Sequence, residues 1–440
     1  MTRSASKLRS TLLIAAGAVV FGVEVVEAQQ PDSVAPQVTL EQAVTRALAR
    51  SPAMAQSDQQ VDNAALTRRT AWGAFLPSLS ASSGASLRSA NRFDPATDRI
   101  VSGSADSYNA GLSAGYDVFT GGRRFAELDR TRADFRAAEA RREEQRFNVT
   151  LQTEHLFFTA LRQSELLEVA RARLKQAEES LEMTRRQSRV GMATASDTLR
   201  ARLEMINARH VVLKAETGTR AARFALGRQI GAARPVAPIP PPDLSPIPLA
   251  LSDSAVLALA EQSAPSVRAA AAATAAAAVS YSAARTTYLP TLRMSTGYNW
   301  ANDALGFNGS NASWSLGLSG SYPIFNGFQR EATVDRAEQT RNVVRLQEAD
   351  ARLAVRQGAD AALRDLYTAA AAIEIAAEAV RVAEEDLRVV RERYRVGVAT
   401  VLDVVTSQIA LDQARVNLVS SRYDYVTARS QLEAILGREL

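Results

Sequence analysis

The chain has 440 residues, a net charge of +5, two histidines and no cysteine. Without cysteine, a disulfide framework and an acylated leading cysteine are both excluded. His155 and His210 each lie alone inside a helical run with no metal-ligand spacing, and the positive charge alternates with acids rather than gathering in a basic, aromatic-interleaved patch, which argues against nucleic acid.

Residues 1–28 read as a signal peptide. Arg3, Lys7 and Arg9 open it, "TLLIAAGAVVFGV" is its apolar run, and "VEA" precedes Gln29. That run is shorter than the roughly 20 apolar residues a spanning helix needs. A first repeat is expected over 29–234. Within it, a helix runs from Leu40 to about Gly73, a serine-rich strand from Leu79 to Leu87, and an alternating strand from Ser107 to Phe119. In that strand Tyr108, Ala110, Leu112, Ala114, Tyr116 and Val118 share one face, and Ser107, Asn109, Gly111, Ser113, Gly115 and Asp117 the other. A proline-free run from Gly122 to Val190 follows, then the turn "SRVGMATASD" and a returning helix ending near Gly231.

Residues 235–250 are a proline-rich linker, too short for a domain and stiff by composition. A second repeat is expected over 251–440. It has a helix from Leu251 to about Thr286, a strand with Leu292, Met294, Thr296, Tyr298 and Trp300 on one face, and another carrying Trp314, Leu316, Leu318, Tyr322 and Ile324. A run from Gly327 to Val396, the turn "YRVGVATVLD" and a last helix complete it. In the last helix one seam runs through Val398, Leu402, Val405, Ile409, Val416, Val419, Tyr423 and Val426, broken only at Asp412; a second is Val404, Leu411, Leu418, Tyr425 and Leu432. Two seams suit a helix with a neighbour on each side. Leu366, Ile373, Val380, Leu387 and Tyr394 show the same seven-residue period.

The two repeats superpose. "AFLPSLS" returns as "TYLPTLR" at an offset of 213, and "VFTGGR" returns as "IFNGFQ" at 206, the offset that also separates Gly191 from Gly397. The slip of seven falls between the two strands of the first half. In each turn a glycine supplies left-handed backbone, and a Thr with an Asp three residues on (Thr194 with Asp197, Thr400 with Asp403) forms a capping box. The strands have the length and the small, polar second face of a membrane barrel wall, and open edges cannot persist in hydrocarbon. Four strands cannot close a barrel, so several chains must share one wall.

This plan, with "YLPTL", "IFNG" and "YRVGVATVLDVVTSQIALDQA" as its most specific parts, resembles the TolC-like outer membrane efflux protein family over essentially the whole mature chain. The resemblance implies a mostly α fold with a membrane β-barrel portion: a tandem-repeat α-helical barrel of long coiled-coil helices plus four β-strands per chain, completed as a 12-stranded barrel in a homotrimer. It also implies an export duct in the outer membrane lipid of a Gram-negative bacterium, reaching into the periplasm and meeting a periplasmic adaptor protein and an inner-membrane transporter. The tips that would dock the adaptor map onto Arg189, Val190, Gly191, Arg395, Val396 and Gly397. Asp403 matches the first aperture acid and Asp197 is its first-half equivalent. At the position of the second acid this chain has Thr406, a departure from the family's doubled acidic ring. Tyr394 is a latch residue by the same analogy, and it also completes a heptad seam. No cofactor, metal site or catalytic group is expected. The alternative is an exported coiled-coil scaffold or adhesin without channel activity.

Overall fold

The structure, a computed structural model, describes residues 35–96, 98–302 and 312–440. The expected signal peptide lies outside the described residues. In chain order the elements are β1 (Gln37–Val38), α1 (Leu40–Arg50), α2 (Pro52–Gly73), β2 (Ser78–Asp94), β3 (Arg99–Phe119), α3 (Arg123–Arg189), α4 (Ala195–Gln229), β4 (Ala237–Pro238), α5 (Asp253–Ser263), α6 (Pro265–Ala284), a 3₁₀ turn (Arg285–Tyr288), β5 (Thr291–Asn302), β6 (Ala312–Ser321), α7 (Gln329–Arg395) and α8 (Val401–Leu436).

Each half opens with two helices where the periodicity predicts one. Ser51 and Ala264, each preceding a proline, take extended backbone with ψ of 127° and 137°. Proline clashes with a helical predecessor and lacks the N–H to continue a helix, yet it fits the first position of the next one. Pro52 and Pro265 therefore end one helix and begin another, so a single helix over Leu40–Gly73 or Leu251–Thr286 is corrected.

The four long strands form one antiparallel sheet in the order β2-β3-β5-β6. Its register sorts the side chains. Ala81 faces Leu112, Leu112 faces Tyr298 and Tyr298 faces Trp314 on one side; Ser82, Gly111, Asn299 and Ser313 line up on the other. On the polar side the glycines make room for asparagine amides: a Cβ on Gly84 would lie 2.5 Å from Asn109 Oδ1, and one on Gly111 2.6 Å from Asn299 Oδ1. β2 and β3 extend beyond the predicted spans, pairing outward to Asp94 and Arg99, while β6 stops at Ser321 because Pro323 cannot donate to a ladder. Tyr322 and Ile324 thus lie past the strand. The short parallel pair β1–β4, not expected from the pattern, stitches the segment before α1 to the proline-rich linker.

α3 and α7 have 67 residues each. At 1.5 Å per residue each is a rod of roughly 100 Å. α4 and α8 return alongside them, and α3 also touches α2, α6 and α8. Two apolar cores sit part-way along the rods. One joins Phe157, Phe158, Leu161, Leu226, Ile230 and Tyr423 with Val38 of the parallel clasp; the other joins Leu363, Leu366, Tyr425, Leu432 and Leu436 with Val256. Small residues sit within these cores, Ala160 on α3 and Ala359 and Ala362 on α7, letting the backbones approach, and Ala170 of α3 packs with Leu167 and Val212 in a third, smaller cluster. α7 is different on its outer side: Ile375, Val382, Val389 and Val396, spaced by seven, stay exposed, as do Leu199, Leu203, Ile206 and Leu213 on α4.

Candidate functional site: the hairpin tips

Each rod ends in the same local chemistry. α3 finishes at Arg189, Val190 caps it, and Gly191 follows with φ +75°; α7 finishes at Arg395, with Val396 as cap and Gly397 at φ +78°. The amide of Met192 donates to Gln187 O at 2.9 Å, and that of Val398 to Arg393 O at 2.8 Å, closing the last carbonyls of each rod. Thr194 and Thr400 then start the returning helices. Asp403 Oδ2 accepts from the Thr400 amide at 2.7 Å and its hydroxyl at 2.8 Å, while Asp403's own amide donates to Thr400 Oγ1 at 3.3 Å. Asp197 repeats this with Thr194 at 3.0, 2.7 and 3.1 Å.

These donors hold both carboxyls below the usual aspartate range. For Asp403 the Thr400 amide is the largest cause and the hydroxyl the next; for Asp197 the Thr194 hydroxyl leads. A depressed folded-state value means that the caps contribute in full above the ordinary aspartate range and are lost only as pH falls through the lowered value. Val190 and Val396 remain 71% and 63% exposed at the apex, and Arg395 reaches Glu392 at 3.0 Å.

The other expected residues have separate surroundings. Tyr394 is half-buried, and its hydroxyl donates to Gln187 Oε1 at 2.5 Å, tying the end of α7 to the end of α3. Burial, ahead of its other surroundings, raises the phenol above its ordinary range. It is therefore both a seam residue and a link between tips. Thr406 turns back to donate to Leu402 O at 2.9 Å. Asp197 and Asp403 each bond within their own turn.

Sequence reasoning passed over a second polar group above the tips. Arg173 of α3 lies 2.6 Å from Glu204 of α4, and its Nε is 3.3 Å from Oδ2 of Asp412 on α8, an ionic contact without hydrogen-bond alignment. Asp412 is 5% exposed; Gln408 Nε2 donates to its Oδ1 at 2.9 Å, and Arg391 donates to Gln408 at 2.9 Å. Burial pushes the Asp412 carboxyl upward against the pull of Gln408 and Arg173. A cleft of about 300 Å³ lies beside this group, lined also by Tyr394 and Arg395. Further along, Tyr423 donates to Glu165 at 2.6 Å and Arg162 to Asp424 at 3.3 Å, so polar rungs recur up the α3–α8 boundary. The available signal was the break in an apolar seam at Asp412. Among the described residues no group of three or more His, Cys, Asp or Glu could hold a metal, and no helix is long and apolar enough to cross a membrane.

Comparison with known proteins gives this geometry a setting. The family described as "Outer membrane efflux protein" matches residues 43–232 and 256–438. Protein CyaE of Bordetella pertussis (strain Tohama I) is 30% identical over 388 residues, spanning 84% of this chain and 78% of its own. The Campylobacter jejuni CmeC outer membrane channel has a TM-score of 0.78 at 17% identity, over 90% of this chain and 85% of its own. The open-state MtrE outer membrane channel of Neisseria gonorrhoeae gives 0.73 at 22%, over 91% and 89%. Tips, rods and a sheet with one apolar and one hydroxyl face are parts of one export channel, and this chain belongs to the outer membrane efflux protein family, whose members are channel-tunnels of the Gram-negative outer membrane that extend into the periplasm.

Proposed function

We propose that this chain acts as a homotrimer in which each copy supplies four strands to a closed barrel and two helical hairpins to a periplasmic tunnel, docking an adaptor protein that an inner-membrane transporter drives. The observation that carries this reading is the sheet itself: it has one apolar and one hydroxyl face, and among the described residues β2 and β6 each keep an edge without a strand partner. Such edges need partners in lipid, and copies of the same sheet are the simplest supply. The exposed heptad on α7 and the exposed apolar residues of α4 ask for the same partner. The residue ranges 29–234 and 251–440 then act as two repeats of one hairpin unit, joined by the strap at 235–250.

At the far end of the rods, Arg189, Val190, Gly191, Arg395, Val396 and Gly397 form the surface offered to the adaptor. Inside them the aperture is lined by Asp403, with Thr406, Asp197 and Tyr394 around it. Capping and lining are compatible, because the box occupies Oδ2 of Asp403 twice and leaves Oδ1 without a hydrogen bond among the described residues. Threefold symmetry would gather three such carboxylates, favouring cations and opposing the downward pull of the caps on their pKa. Opening would part the tips and break the Tyr394–Gln187 link.

The test is conductance. In planar bilayers Asp403→Ala should raise single-channel conductance or lower cation preference. Unchanged conductance and selectivity would remove Asp403 from the constriction, and recovery of the native protein as a soluble monomer in the periplasmic wash would remove the duct.

A further inference from the structure

The strand-to-rod joint occurs twice in the chain, which makes the second copy a control for the first. In both copies an arginine clamps the joint. Arg124 stacks on Phe75 and Tyr116, each 5.2 Å from the ring centroid, and donates to Val118 O at 3.3 Å; its repeat Arg330 stacks on Tyr288 at 5.2 Å and Tyr322 at 6.0 Å and donates to Ile324 O at 3.2 Å. The clamp belongs to the fold, since both halves keep it.

Beside the first clamp is a cleft of about 460 Å³ whose lining includes Ser78, Gly115, Asp117, Arg123, Glu127 and Arg293. Ser78, Gly115, Asp117 and Arg293 lie on the hydroxyl face of the sheet. At the offsets that relate the halves, Asp117 becomes Pro323, Arg123 becomes Gln329, Glu127 becomes Thr333, and Arg293 becomes Ser80. All four charges are absent from the copy. The second joint folds without them, so the first does not require them for folding.

The charges are unequally satisfied. Glu127 is taken by Arg130 at 2.5 Å, which also holds Asp134 at 2.7 Å. Arg293 lies over Gly115, where a Cβ would come within 2.9 Å of its Nη2, and its Nε is 3.9 Å from Asp117. That pair is 60% and 42% exposed in its side chains, a loose contact worth little to stability. Arg123 makes no ion pair within 4 Å among the described residues, though its charge, after that of Arg130, helps to lower the Glu127 carboxyl. Two guanidinium groups thus face one loosely held carboxylate. From Ser78 to Ser86 on β2, Ser107 to Asp117 on β3, Thr291 to Asn299 on β5 and Ser313 to Ser321 on β6 the hydroxyl face otherwise carries serine, glycine, asparagine and threonine; its other charged positions, Arg88, Arg92, Asp94 and Arg99, come at the outer end of the β2–β3 hairpin, away from the joint.

We infer that Arg123 and Arg293, opposed by Asp117, form a positive ring at the neck where barrel meets rods, and that this ring sets an anion preference in the lumen, favouring cargo bearing carboxylate or phosphate groups. The inference rests on the duct reading, with the hydroxyl face turned to the lumen. Fixed charges around a narrow aqueous passage raise the local concentration of counter-ions. The neck acts apart from the acidic aperture at the other end of the rods.

The experiment uses the full-length protein in planar bilayers under a potassium chloride gradient. Arg123→Gln with Arg293→Gln should lower the chloride-to-potassium permeability ratio by roughly twofold or more, and Asp117→Asn should raise it. Gln329→Arg, which places a charge in the empty copy, should raise it too. If the double variant conducts with the native ratio, or if the two opposite variants shift it the same way, the ring is refuted while the duct stands. If the native protein gives no channels, both readings fall together.

Discussion

Arg173 shows what one side chain does at a boundary between helices. It stands between Glu204 and Asp412, and the three side chains are 22%, 16% and 7% exposed, so their charges interact with little water between them. The two ways of breaking the group are not equivalent. Arg173→Met leaves two largely buried carboxylates without their ion-pair partner, with only the weaker pull of Arg415 on Asp412, and should cost about 3 kcal/mol. Asp412→Leu instead restores the interrupted apolar seam and leaves Arg173 paired with Glu204, so it should be neutral or stabilising. The urea midpoint of the detergent-solubilised protein reads both. Equal losses from the two variants would mean that the rung works by shape alone. None of this was legible beforehand: a lone aspartate in an apolar seam signals a partner, but which arginine on which helix meets it is decided by how α3 and α8 cross.

The elements themselves were easier to read, because their limits are set by local chemistry. Gly191, Thr194 and Asp197, and again Gly397, Thr400 and Asp403, specify a turn within ten residues and without reference to the rest of the fold. At both glycines an added Cβ would meet nothing within 4 Å, so the need for glycine comes from positive φ alone. Gly191→Ala and Gly397→Ala should therefore each cost about 1 kcal/mol as backbone strain, with no clash. Hydrogen exchange should quicken around the altered turn while the two apolar cores keep their protection; spread of the effect into those cores would contradict a purely local role. Where tertiary pairing decides, the pattern runs out. The outer stretch of the β2–β3 hairpin has no apolar and polar alternation to announce it and is carried by its ladder, and a two-residue strand such as β1 leaves no periodic trace at all.

At the scale of the proposed homotrimer, the duplication supplies a register. β3 Leu112 faces β5 Tyr298, so Leu318 of one copy should face Ala85 of the next, the two residues being their repeats at 206 and 213. Likewise Gly121 lies against Leu289, where a Cβ would approach to 2.6 Å, while its repeat Gly327 has open space that Leu76 of a neighbouring copy would fill. Cysteines at 85 and 318, in a chain that has none of its own, should join copies into covalent ladders on a non-reducing gel. Cysteines at 85 and 316, displaced by two residues, should not. Ladders from the displaced pair alone would show a different closure. The matched lengths of α3 and α7 carry a further consequence for how such a duct can change in evolution. A single inserted residue would turn everything below it by about 100° and carry its apolar stripe away from its neighbours. To span a deeper or shallower cell envelope, a lineage must add or remove whole heptads in all four limbs together, so tunnel height moves in steps of roughly a nanometre rather than by drift.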